Sequence, residues 1–390
     1  MTRCTTARVD LSALEANYRA ITAHLSAETL LNRAASRGPL LAPAVIAVVK
    51  ANAYGHGARP VALALESAGA TMLAVADIEE GVDLRAAGVR VPILVFGALI
   101  VSDLDGVFAH ALTPTISSPA AGRALQQAAA ARGAVLHYHM KIDTGMNRLG
   151  FRHDNLRRTL PELLGSANLA LDAVHTHFGA ADDPGHALFE AQRAHFEAAC
   201  RVVDDLGGGP RLRHAANSAA LLRDSRVWYD FVRPGLLLYG VVPPPLGSTL
   251  SLRPVMSLIS RVVAIKGARV GETVGYGGRF RADRPTTLAV VPAGYADGLD
   301  RRLEGRGAVL IRGRRAPIVG AVSMDMLTAD VTDIDGAGPG DDVVFLGAQG
   351  SQPHQSIDAR EMADWIGTIP YEILCRLGAR VERQYDAAIV

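Results

Sequence analysis

Cysteine is scarce in this 390-residue chain: Cys4, Cys200 and Cys375 stand far apart, with no C-x-x-C spacing among them. That excludes a disulfide framework and a thiolate zinc centre, and it fits a reducing compartment. Excess charge is missing too, because 40 basic residues against 39 acidic ones leave a net +1 that calls for neither nucleic acid nor an anionic membrane. The arginine-dense stretch "DRRLEGRGAVLIRGRR" (300–315) holds no aromatic residue to stack on a base and reads as a solvated β-hairpin surface. Long apolar runs are absent. The longest, within "VPILVFGALIV" (91–101), is too short to cross a bilayer, and "MTRCTTARVDLSALEANY" lacks a signal peptide's apolar core. The expectation is a soluble, cytoplasmic protein with no membrane, nucleic-acid or metal partner.

What the chain does have is alternation. From residue 45 to about 240, eight short apolar runs ("VIAVV", "MLAV", "PILVF", "LTPTI", "VLHYHMKI", "LDAVHTH", "LRHA" and "VRPGLLLY") alternate with amphipathic stretches of helical length. One of these, "SPAAGRALQQAAAARG", opens with Ser118 as N-cap and Pro119 in the first turn, and Gly133 closes it. Eight such units predict an α/β fold, a TIM-like (β/α)8 barrel, with a doubly wound open sheet as the alternative. Residues 22–43 fit no unit and read as a helix followed by a surface loop. After the Pro-rich "VVPPPLGS" (241–248) the texture turns to short Val-, Gly-, Thr- and Arg-rich runs with frequent turn signals, an all-β pattern. The division is therefore a barrel domain over 1–244 and a C-terminal β domain over 245–390.

Chemistry in such a barrel gathers at the C-terminal ends of its strands. "AVVKANAYGHG" (47–57) puts Lys50 and Tyr54 after the first strand, and "KIDTGMNRLG" puts Lys141, Asp143 and Arg148 after the fifth. The sixth carries His175 and His177, the seventh leads into Asn217 and Ser218, and the eighth presents Arg233 and Gly235. Taken singly, each has an ordinary structural explanation: a core histidine, a helix cap, an ion pair. Their shared address describes one pocket. A lysine whose lowered pKa frees its amine, facing a phosphate cradle at the last two strand ends, suggests pyridoxal 5'-phosphate held as a Schiff base on Lys50.

"AVVKANAYGHG", "KIDTGMNRLG", "HTHF", "HAANSAA", "RPGLLLYG", "GYG", "AGYADG", "VSMDM" and "IPYE", in that order from about residue 8 to residue 383, resemble the motif set of the alanine racemases, fold-type III pyridoxal-phosphate enzymes. The resemblance implies interconversion of L- and D-alanine by two proton carriers, supplying D-alanine for peptidoglycan. Lys50 then binds the cofactor and serves one face of Cα. Tyr276 of a second subunit serves the other, in a homodimer with shared active sites. Tyr54, His177, Asn217, Ser218, Arg233, Gly235, Leu236 and Tyr371 surround the cofactor, with Arg233 at its ring nitrogen. Arg148 and the Met324 amide grip the substrate carboxylate, and Tyr295 with Tyr371 narrows the entrance. Lys141 matches a position that some members carry carbamylated, turning a cation into an anion beside Arg148. Two departures stand out: a longer connection before Lys50, and Ser323 where other members often have cysteine.

Three alternatives have discriminating features. A racemase for serine or a broader set of amino acids differs only in pocket shape. A fold-type III decarboxylase is suggested by "LGGGP" (206–210) but would place a carboxylate at the ring nitrogen. A non-catalytic pyridoxal-phosphate carrier would not need the β domain.

Overall fold

The computed structural model describes residues 4–34, 41–97, 104–209, 212–351 and 355–386. The chain opens with β1 (Thr6–Asp10) and a long helix, Leu11–Ala34. The parallel strands then follow: β2 (Ala44–Val48), β3 (Met72–Val75), β4 (Ile93–Val95), β5 (Thr113–Ile116), β6 (Leu136–Asp143), a two-residue β7 (Phe151–Arg152), β8 (Leu169–His175), β9 (Leu212–Asn217) and β10 (Phe231–Arg233). All eight expected strands form, in the order β5-β4-β3-β2-β10-β9-β8-β6, with β7 appended to β6. Pairing of Thr115 with His139 and of Ile116 with Met140 joins β5 to β6 and closes the barrel. Runs such as "AVIAV" and "ILV" are buried almost throughout, as strands walled by helices on one side and a filled interior on the other must be. The helix Pro119–Ala131 begins as its sequence predicts, with Ser118 Oγ accepting the Ala121 N–H at 3.2 Å. Of "VRPGLLLY" only the first residues are strand; Leu236–Tyr239 form a 3₁₀ turn.

The C-terminal part comprises β11 (Met256–Arg261), β12 (Ala264–Ala268), β13 (Thr273–Val274), β14 (Phe280–Arg281), β15 (Thr286–Val291), β16 (Ala308–Ile311), β17 (Arg314–Val319), β18 (Leu327–Asp330), β19 (Asp342–Gln349), β20 (Gln355–Ile357) and β21 (Glu382–Asp386). Their main sheet runs β12-β15-β18-β17-β16-β19-β11-β1-β21, and it carries two short helices, Ala359–Ile366 and Pro370–Cys375. The second half of the arginine-dense stretch, from Ala308, is the expected hairpin, turned by Arg312 and Gly313 at φ +52° and +75°, whereas Arg301–Leu303 form a 3₁₀ turn.

The two parts share a sheet: β1 lies between β11 and β21, so Thr6–Asp10 pair within the C-terminal sheet although they precede the barrel in sequence. The reason is legible afterwards in "TARVD", where Ala7 and Val9 are buried and Arg8 is exposed, the period-two pattern of a half-buried strand. Thr5 Oγ1, 2.9 Å from Ser260 Oγ and from the Pro292 carbonyl oxygen, fastens this end to the same sheet. One large hydrophobic core runs through both parts, and a small second cluster around Val274, Ala282 and Leu288 lies in the C-terminal part. The loop expected before Lys50 includes residues 35–40, which lie outside the described residues.

Candidate active site

The chain leaves β2 in an unusual way. Ala51, Asn52, Ala53 and Tyr54 have φ of 54°, 52°, 54° and 53°, a complete left-handed turn made without glycine. Each such residue costs about 1–2 kcal/mol, so the turn persists only because its surroundings impose it. Glu80 accepts the Ala51 N–H at 2.6 Å, Asn52 Oδ1 accepts the Ala58 N–H at 2.8 Å, and His56 Nδ1 lies 3.0 Å from the carbonyl oxygens of both Ala53 and Tyr54. Lys50 is thereby held at the mouth of the barrel and Tyr54 is buried beside it.

At this mouth lies a cavity of about 610 Å³, lined among others by Lys50, Tyr54, Lys141, Arg148, His177, Asn217, Ser218, Arg233, Gly235 and Tyr371. Five strand ends and the helix Pro370–Cys375 of the C-terminal part contribute these side chains. Against four cations the wall offers one carboxylate, Asp182, so the cavity suits an anionic ligand. Burial and then Arg148 hold the Lys50 amine below its ordinary pKa, with Glu80 opposing. Burial, Arg148 and Arg233 pull Lys141 down to about 8. Asp143, rather than pairing with Arg148, accepts the Gly145 and Asn147 N–H groups at 3.0 Å each and shapes the loop that carries Arg148.

Arg233 is buried and held by both of its terminal nitrogens. It donates to the carbonyl oxygens of Thr176 (2.7 Å) and Ala215 (3.0 Å) and to His214 Nδ1 (2.8 Å), with His177 Nδ1 at 3.4 Å. Because His214 accepts at Nδ1, its proton sits on Nε2 and points to His139 Nδ1, 2.9 Å away. Burial, with Arg233 adding to it, holds His177 neutral. His175 faces Lys141 in register across β6 and β8, and both of its ring nitrogens are buried without a hydrogen-bond partner.

At the ends of β9 and β10, Ser218 Oγ accepts the Gly235 N–H at 2.9 Å, and Leu236 follows at the start of the 3₁₀ turn. A Cβ on Gly235 would lie 2.3 Å from the Tyr54 hydroxyl, so only glycine leaves that hydroxyl its place. The Tyr54 and Tyr371 rings are 5.8 Å apart. Asn217 lines the cavity while its Oδ1 caps the next helix through the Ala220 N–H at 2.9 Å.

Tyr276, Tyr295 and Met324 are not in this cavity's wall. They form a second cluster on the C-terminal sheet, where "AGYADG" and "VSMDM" are joined by Tyr295 N–H to Ser323 O (3.0 Å) and Ala296 N–H to Met324 O (3.1 Å). The β13–β14 turn bearing Tyr276 packs on the same segment, where a Cβ on Gly275 would come within 2.9 Å of the Ala321 nitrogen. Tyr276, Met324 and Tyr295 are 76%, 52% and 43% exposed. Ser323 spends its hydroxyl locally, donating to Met326 O at 2.6 Å.

The glycines of "LGGGP" follow the helix Leu188–Asp205 and precede β9, at the barrel end opposite the cavity, where they cannot meet a ligand held there. Sequence reasoning passed over Glu80, His139, His214 and Gln192. Glu80 carried a signal: it stands three residues after Asp77, whose side chain accepts the Glu80 N–H at 2.9 Å, in the spacing of a capping box. Gln192, fully buried in a helix, bonds Thr144 Oγ1 (3.1 Å) and the His177 carbonyl (3.0 Å) and gave none.

Comparison with known proteins agrees over the whole chain. Residues 9–243 match the family described as alanine racemase, N-terminal domain, and residues 255–385 match alanine racemase, C-terminal domain. The alanine racemase of Sorangium cellulosum is 41% identical over 98% of this chain and 99% of its own length; that of Symbiobacterium thermophilum is 39% identical over 98% and 97%. Among solved structures, the alanine racemase of D-cycloserine-producing Streptomyces lavendulae superposes with a TM-score of 0.91 at 34% identity, covering 100% of this chain and 98% of that one. The Bacillus anthracis enzyme with bound L-Ala-P gives 0.87 at 33% identity, with 99% and 96% covered.

Proposed function

This chain belongs to the alanine racemase family, and from that premise we propose that it interconverts L- and D-alanine with pyridoxal 5'-phosphate, supplying D-alanine for peptidoglycan. The observation that carries the reading is the division of its polar residues into two clusters. One is a cationic cavity at the barrel mouth; the other is an outward-facing phenol on the β domain.

The cavity fits the cofactor. Hydroxyls of Tyr54, Ser218 and Tyr371 and the amides of Gly235 and Leu236 suit its phosphate, and the Gly235 side chain that would block the Tyr54 hydroxyl is absent. When bound, pyridoxal phosphate lowers the acidity barrier at the substrate Cα by delocalising the electron pair. Lys50, its amine held below its ordinary pKa by burial and then by Arg148, both anchors the cofactor and takes or returns the proton on one face. Arg233, as a cation fixed by four acceptors, opposes protonation of the ring nitrogen and so favours rapid return of the proton over transamination. Arg148 and the Met324 amide of a neighbouring subunit hold the carboxylate, and Tyr371 with that neighbour's Tyr295 restricts the side chain to a small one.

Tyr276 is the carrier for the opposite face, acting in a neighbouring subunit's cavity. Its exposure, together with that of Met324 and Tyr295, supports a homodimer in which each β domain completes the other's site. Once there, the phenol would meet the partner's His177, which Arg233 backs. Lys141 is carbamylated in this reading: its free amine adds to carbon dioxide, releases a proton and becomes an anion. That anion would accept from Arg148 and from His175, whose ring nitrogens otherwise lack partners. The protein works in the cytoplasm, consistent with three free cysteines; no helix among the described residues is long and apolar enough to cross a membrane. The test is direct: purified protein with pyridoxal phosphate should form D-alanine from L-alanine. Release of carbon dioxide from lysine or diaminopimelate, with no D-alanine formed, would overturn the proposal.

A further inference from the structure

Glu80 lies just outside the cavity, yet it touches the segment that matters most. Its Oε1 accepts the Ala51 N–H at 2.6 Å and its Oε2 accepts the Ala76 N–H at 2.8 Å. Ala51 follows Lys50 at the exit of β2, and Ala76 follows the last residue of β3. One carboxylate thus spans two neighbouring strand ends. It is itself fixed, because Asp77 caps the helix that bears it. In an ordinary capping box a glutamate at this position would turn back to the N–H of the cap residue. Here it reaches the residue before the cap and the left-handed turn instead. A charge-assisted bond of 2.6 Å at the first left-handed residue is well placed to impose that turn on alanine.

We propose that Glu80 is a positioning residue: it locks the left-handed turn and so fixes the line along which the Lys50 amine meets the substrate Cα. The inference rests on the reading that Lys50 and Tyr276 serve opposite faces. Glu80→Gln preserves size but offers one acceptor where two N–H groups point, so at least one bond is lost. The Lys50 half of the reaction should then suffer alone. In heavy water, exchange of Cα–H from D-alanine by the holoenzyme should fall at least tenfold, while exchange from L-alanine changes less than threefold. Tyr276→Phe should give the opposite asymmetry. Amide hydrogen exchange across residues 49–57 should accelerate in Glu80→Gln, a readout independent of turnover. Adding Ala51→Gly, which adopts positive φ without penalty at an exposed position, should restore much of the loss.

Equal loss for both enantiomers, unchanged exchange, or no rescue by Ala51→Gly would overturn the role of Glu80. A symmetrical Tyr276→Phe would overturn the two-carrier premise, and this proposal with it. Should Glu80→Gln fail to fold, Glu80→Asp, which keeps the charge but is too short to span both strand ends, is read by the same asymmetry and the same rescue.

Discussion

Tyr276→Phe removes a single hydroxyl and leaves the ring, and because that ring is exposed within its own chain, the fold has little stake in it. Cofactor binding and the Lys50 linkage should survive, while racemisation falls roughly 10²–10⁴-fold, the usual worth of a positioned acid or base. Exchange from L-alanine should be largely lost and exchange from D-alanine retained; an equal loss for the two would mean that one residue serves both faces. Arg233→Glu probes the other end of the relay. It replaces a cation with a carboxylate that favours a protonated ring nitrogen, so racemisation should slow, a new long-wavelength absorbance should appear with alanine, and transamination should rise. An intact variant without those changes would show that Arg233 is not the nitrogen's partner. Residues of this kind were legible because their chemistry is unusual for where they stand: a lysine, two arginines and a serine at barrel strand ends. Gln192 was not, and Glu80 only as a helix-capping residue, since their reach to backbone groups 15 and 29 residues away leaves no periodic trace.

At the scale of elements, the barrel strands were readable because runs buried on both faces must be apolar and short, and helices between them must be amphipathic. β1 escaped because its partners lie some 250 and 376 residues away, so its five-residue alternation had no neighbour in sequence to pair with. The same strands carry a consequence for acid stability. His139 on β6, His175 on β8 and His214 on β9 sit side by side in the barrel interior, with the His175 and His214 rings stacked 4.6 Å apart. Burial lowers His139 to about 4, and lowers His175 and His214 well below the ordinary value, so all three stay neutral in the folded protein. His56, buried after β2, is likewise held to about 4. Between the unfolded value near 6.5 and these folded values, the unfolded chain binds more protons. Stability is therefore whole above pH 6.5 and drains as pH falls toward 4, at about 1.4 kcal/mol per pH unit for each histidine. Urea midpoints measured from pH 7 to 4.5 should trace this decline. His139→Gln, which keeps an acceptor for the His214 N–H and cannot ionise, should lower the slope by about one proton. An unchanged slope would place the proton uptake elsewhere.

The whole molecule is where the single chain stops being sufficient. The cavity around Lys50 holds no second proton carrier from the proposed pair, while Tyr276, Met324 and Tyr295 are exposed and do not line it. A two-fold assembly resolves both conditions at once, since an isologous contact that brings one β domain to its partner's barrel does the same in reverse. In such an assembly each active site would draw Lys50 from one subunit and Tyr276 from the other. Lys50→Ala and Tyr276→Ala homodimers should both be inactive, for different reasons. Mixed and allowed to exchange subunits, they form heterodimers in which one site carries both lesions and the other carries neither. Random exchange at equal concentrations makes half of the dimers mixed, each with one of its two sites intact, so about a quarter of wild-type activity should return. The gain should follow the rate of subunit exchange, measured independently with differently tagged chains. Heterodimers that form but remain inactive would mean that Lys50 and Tyr276 act within one chain, which requires the β domain to fold back over its own barrel mouth.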